Sequence, residues 1–89
     1  MKESFETATI VDVRTPEEYA GEHIPNAINI PYDQVAQRIN EFKEMQKPII
    51  AYCRSGNRSG IAVDTLKQNG ITEAINAGGL VDIKKTMSV

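Results

Sequence analysis

The densest chemistry in this chain lies in Cys53-Arg54-Ser55-Gly56-Asn57-Arg58, with Ser59 following. An apolar run, Pro48-Ile49-Ile50-Ala51-Tyr52, ends where this polar segment begins. If the segment curls round its cysteine, several backbone N–H groups point at the sulfur. A helix starting just beyond adds partial positive charge, and Arg54 and Arg58 add two full charges. Each of these favours thiolate over thiol. A free cysteine of pKa about 8.5 is only about 3% thiolate at pH 7, and lowering its pKa by about two units makes it mostly thiolate. The same cradle suits an anion such as a sulfonate, phosphate or arsenate group. The alternative is an inert core cysteine, since cysteine is among the most buried residue types. A core cysteine would sit inside the apolar run. Cys53 follows it, among arginines, serines and a glycine, and is expected to be a reactive thiolate.

The rest of the composition narrows the options. Cys53 is the only cysteine and His23 the only histidine. An internal disulfide is therefore impossible, and a multi-cysteine zinc site is not expected. With 10 basic and 12 acidic residues and a net charge of −2, no electrostatic grip on nucleic acid or anionic lipid is expected. No run approaches the roughly 18 apolar residues that span a membrane. The first residues lack an apolar secretory stretch, so a reducing, cytoplasmic setting is expected. At 89 residues, with 40% hydrophobic, the chain is expected to form one domain over 1–89, since halves of that length could not each bury a core.

The elements that position Cys53 follow from periodicity and punctuation. Thr9–Val13 is a β-branched apolar run, read as a buried strand. Thr15 can cap a short helix over about 16–21, with Pro16 in its first turn and Glu17 and Glu18 facing its positive end. Ala27–Ile30, fenced by Pro25 and Pro31, reads as a second strand. Asp33 is expected to cap a helix over roughly 33–45, with Val35, Ile39 and Phe42 on one stripe. The run over 48–52 lacks alternation, as in a parallel strand covered on both faces. A helix from Ser59 to about Asn69 would turn Ala62, Val63 and Leu66 inward and stop at Gly70. Glu73–Asn76 reads as a last strand, Gly78-Gly79 as a turn, and Leu80 to about Lys85 as a final helix. Alternating strands and helices predict an α/β fold with a mainly parallel sheet. Ligands of such sheets bind beyond the C-terminal strand ends, where Cys53 sits.

Three segments in order make the chain resemble the rhodanese domain family of single-domain thiosulfate sulfurtransferases. Ile10-Val11-Asp12-Val13-Arg14, with Pro16-Glu17-Glu18-Tyr19, looks like its first signature. Gly21-Glu22-His23-Ile24-Pro25-Asn26-Ala27 is similar to its G-H-I-P-G-A segment, with Glu22 inserted and Asn26 in place of the usual glycine. Cys53–Ser59 resembles its active-site loop, and Gly78-Gly79 also fits. The resemblance implies a three-layer fold, a central mainly parallel sheet with helices on both faces. Family members usually carry a strand and short helix before the Asp-Val-Arg strand. Here that strand is expected to be shortened to Lys2–Phe5 or missing.

The implied reaction is a two-step sulfur transfer. The Cys53 thiolate takes the outer sulfur of thiosulfate or a persulfide donor, becomes a persulfide, and yields that sulfur to cyanide or a thiol. No metal or organic cofactor is implied. Arg54, Ser55, Gly56, Asn57, Arg58 and Ser59 would bind the substrate, the arginines by charge and the serines as donors to sulfur. Ser59 serves equally well as the N-cap of the next helix. Asp12 and Arg14 would support the fold through an ion pair or loop hydrogen bonds. His23 reads as a turn residue rather than a base, and Tyr52 should point away from Cys53. Two other functions compete. A sulfur-carrier or interaction module would need a partner protein as donor or acceptor. A phosphatase or arsenate reductase would need Cys-x5-Arg, one residue longer than the Cys-x4-Arg here.

Overall fold

The computed structural model describes residues 7–87. Its elements in chain order are β1 (Thr9–Asp12), α1 (Pro16–Gly21), β2 (Ile28–Asn29), a 3-10 turn (Tyr32–Gln34), α2 (Ile39–Glu44), β3 (Ile49–Cys53), α3 (Asn57–Gln68), β4 (Ala74–Gly79) and α4 (Leu80–Met87). The four strands form one sheet in the order β2-β1-β3-β4, with every pair parallel. The expected first strand over Lys2–Phe5 lies outside the described residues. Among the described residues no helix is long and apolar enough to cross a membrane.

Side chains alternate across a strand, and that alternation builds two cores. Ile49, Ala51 and Cys53 of β3 join Val11, Val13, Phe42, Val63 and Leu66 on the face covered by α2 and α3. Ile50 and Tyr52 join Ile10, Ile24 and Ile83 on the opposite face, under α1 and α4. All five residues of β3 are buried, which is why its sequence shows no alternation. The architecture is thus the expected three-layer α/β arrangement.

Several local details depart from the sequence expectations. The helix expected over 33–45 is divided. Its start is a 3-10 turn, in which Gln34 N donates to Pro31 O at 2.9 Å, and regular α-helix begins only at Ile39. The cause is an anchor upstream: Tyr32 N donates to Val13 O, just beyond β1, which fixes where the chain begins to coil. Asp33 therefore caps nothing, and Pro31 occupies the cap position of the turn. The apolar stripe survives the break, with Val35 and Phe42 buried and Ile39 packed against them. Gly78 and Gly79 are no turn. They end β4, and the bare backbone of Gly79 lies against the loop after Cys53. Asn26 adopts a φ of 72°, a left-handed conformation that Asn tolerates better than most residues and that glycine commonly supplies.

Candidate active site

Cys53 is the last residue of β3 and lies at the C-terminal end of the sheet. Its pairing with β4 is irregular: Ala51 faces Asn76, but Cys53 faces Gly79. A Cβ added to Gly79 would sit 2.2 Å from Arg54 O, so only glycine lets β4 support the loop this closely. The chain then reverses at Gly56, whose φ of 102° is left-handed. That turn leads directly into α3, whose first bond runs from Gly60 N to Gly56 O at 3.0 Å. The helix therefore starts at Asn57, two residues earlier than expected from the sequence. Asn57 and Arg58 belong to its first turn, and Gly56, not Ser59, is its N-cap.

Donors converge on the buried sulfur. Gly56 N donates to Sγ at 2.9 Å, and the Ser59 hydroxyl lies 3.4 Å from it. Burial pushes the thiol's pKa up. The Ser59 hydroxyl and the amides of Ser59, Ser55 and Gly56 outweigh that cost, and the net shift is downward. Hydrogen bonds lead the causes that favour the thiolate here. Arg54, Ser55 and Asn57 are exposed. Arg58 turns to α1, where its Nη1 and Nη2 meet the Glu18 carboxylate at 2.8 and 3.1 Å.

Two participants escaped the sequence reading. Asn76 on β4 accepts from the Ser59 hydroxyl at 2.6 Å and from Gly78 N at 2.9 Å, and donates to Gly56 O at 3.0 Å. It thus ties together Ser59 and Gly56, the two residues whose donors face the sulfur. Ser59 has one hydroxyl proton and three acceptors within reach, counting Gly56 O at 3.2 Å. By the period of two Asn76 shares a face with Ala74, but it is exposed, and an exposed amide at a strand gives no local sign that it will bond the loop. Glu18 is the second. Thr15 N and the Thr15 hydroxyl donate to its carboxylate in a capping box, at 3.0 and 3.2 Å. The Thr-x-x-Glu spacing announces that box, but nothing local announces Arg58.

The other predicted residues form a separate network on the far face of β1 and β3. The Asp12 carboxylate accepts from Arg14 N at 2.9 Å, Arg14 Nη2 at 2.7 Å and the Tyr52 hydroxyl at 2.8 Å. Tyr52 in turn accepts from Ile24 N at 3.0 Å. Its hydroxyl is pushed well above the usual tyrosine range, chiefly by burial. Tyr52 points away from Cys53, into the opposite core. His23 stacks on Tyr19, their rings 3.7 Å apart, with Nδ1 2.7 Å from Tyr19 O. A recess of about 250 Å³ between Lys43, Lys47 and Gly70–Glu73 lies at the other end of the sheet, where β3 and β4 begin.

Comparison with known proteins places this geometry in context. A rhodanese-like domain model matches residues 1–86. The uncharacterized protein YqhL of Bacillus subtilis is 45% identical over 75 residues, covering 84% of this chain and 59% of that protein. Thiosulfate sulfurtransferase PspE of Escherichia coli is 43% identical over 74 residues, covering 82% of this chain and 71% of PspE. A solved structure described as a rhodanese with anions from E. coli superposes with a TM-score of 0.77 at 41% identity, covering 84% of this chain and 89% of that one. This chain thus spans under two thirds of the length of YqhL and somewhat more of PspE.

Proposed function

The chain belongs to the rhodanese-like domain family, and from that premise we propose that it is a sulfurtransferase working through a persulfide on Cys53. One observation carries the proposal: a buried sulfur at a strand's C-terminal end has its pKa lowered by hydrogen bonds from the loop that encloses it. Such a sulfur is a nucleophile without a general base. With thiosulfate, the Cys53 thiolate attacks the outer sulfur, the S–S bond breaks, and sulfite leaves with the bonding pair. One negative charge stays on the new persulfide and two leave on sulfite. Cyanide then attacks the outer persulfide sulfur, thiocyanate departs, and the thiolate returns. The amides that face the resting sulfur would hold the persulfide's charge as an oxyanion hole holds oxygen.

Intact mass spectrometry after incubation with thiosulfate tests this reading. One added sulfur atom is expected, removed by cyanide as thiocyanate and absent in Cys53→Ala. A folded protein that takes up no sulfur from thiosulfate but does so from a protein persulfide would be a carrier dependent on a partner. Uptake from neither would refute sulfur transfer.

A further inference from the structure

Resting on that reading, we propose that the Glu18–Arg58 ion pair is a specificity device that withholds Arg58's charge from the loop and favours low-charge persulfide donors over dianionic thiosulfate. The sequence places two arginines beside Cys53, an arrangement suited to a doubly charged donor. The structure leaves Arg58 already matched. Its guanidinium and the Glu18 carboxylate make two parallel contacts, and each side chain is only about a quarter exposed, at 27 and 28%. A fork-on-carboxylate pair of this kind is directional and resists exchange for a passing anion.

The carboxylate is held from behind as well. Thr15, at the cap of α1, donates to it through both backbone and hydroxyl. With the Arg58 hydrogen bond first among the causes, Glu18 is held down to about 2 and stays charged through the whole working range. Glu18 is thus built into the helix start rather than swinging in solvent. The Cys53 charge also acts on Arg58, so the pair stands within electrostatic range of the reacting sulfur.

A charge census then separates the donors. Near the loop stand Arg54, exposed, the neutralised Glu18–Arg58 pair, the buried Asp12–Arg14 pair within electrostatic range of it, and Asp82, whose carboxylate accepts from Gly79 N at 2.8 Å. Thiosulfate must bring two negative charges towards a thiolate with little free positive charge to receive it. An alkyl hydropersulfide brings one charge or none. Its transfer balances without further help: the Cys53 thiolate attacks the terminal sulfur, the S–S bond breaks, the alkanethiolate leaves with the pair, and the proton stays on the transferred sulfur.

A double-mutant cycle read by donor preference tests this. For each folded protein, checked by circular dichroism, kcat/KM is measured with thiosulfate and with a small alkyl hydropersulfide, and their ratio is taken. In Glu18→Gln, Arg58 is released and the ratio is expected to shift about 5- to 10-fold towards thiosulfate, with a steeper dependence on salt. In Arg58→Gln, Glu18 is left as a bare anion and the ratio is expected to shift about as far the other way. The double variant is expected to return to within about 2-fold of the parent. A merely structural contact would move both single variants in one direction. Shifts of the same sign, or below about 2-fold in both, overturn the proposal. Parent protein that takes sulfur from neither donor overturns the sulfur-transfer reading itself, an outcome visible before any variant is compared.

Discussion

Tyr52 and Cys53 are neighbours on β3 that face opposite sides of the sheet, and the polar groups around them are satisfied in opposite ways. Around Tyr52 the network is closed. Asp12 is fully buried, and its carboxylate is met by Arg14 side-chain and backbone donors and by the tyrosine hydroxyl. Arg14 also donates to Glu22 O and lies 5.6 Å over the Tyr52 ring. Around Cys53 the network converges. Amides and one hydroxyl point at a single sulfur that contributes acceptor capacity and nothing else. A closed network fixes β1, β3 and the segment before β2 relative to one another. A converging network stores hydrogen-bond donors where charge resides and where a transferred sulfur would arrive. On the proposed reading, the contrast separates a stability device from a chemical one although the two lie one residue apart.

The sharpest way to break the comparison is to remove the sulfur. Cys53→Ser should lower sulfur uptake by at least about a thousandfold, followed by intact mass, yet change unfolding free energy by no more than about 1 kcal/mol. Next in size is Arg14→Leu, which strands a buried carboxylate. It should cost about 3–5 kcal/mol in denaturant unfolding while the protein that remains folded keeps its pH profile of sulfur uptake. Tyr52→Phe should cost less, about 1–3 kcal/mol by the same measurement, because Asp12 and Ile24 N each lose one partner but no charge.

The smallest effect should come from Ser59→Ala. Ser59 is the foremost group lowering the Cys53 pKa against the opposing push of burial. Without it the pKa rises, so less thiolate is present at a given pH. The acidic limb of the rate profile should therefore move to higher pH, with a fall of about 2- to 5-fold at neutral pH and full recovery in alkali. An unmoved limb would show that the amides alone hold the thiolate. Asn76→Ala offers a finer reading, since it frees the Ser59 proton from its nearest acceptor while loosening Gly56.

Much of the fold was legible because its signals are local. A β-branched apolar run marked β1 as a buried strand and a run without alternation marked β3 as a parallel strand covered on both faces; β3 is buried throughout and β1 all but Thr9. Thr15, Pro16 and the acids after them marked the start of α1, and Val35 and Phe42 kept their inward stripe although the helix between them broke. The break depended on an anchor to Val13, distant in sequence, and carried no local mark. The loop itself was legible as a cysteine at a strand end before a helix, but its length was not, because Gly56 turns the chain early enough to place Arg58 inside α3.

What the sequence determined alone is therefore the setting of the candidate site: one cysteine, between a buried strand and a helix start, with small and polar residues around it. Those properties follow from residue type and short-range periodicity. Tertiary structure decided what each polar side chain would do. It paired Arg58 with Glu18 and Ser59 with Asn76, and brought Gly79 under the loop. Such pairings join segments far apart in the chain. They depend on strand order and register, which the sheet settles as a whole and no local stretch of sequence encodes.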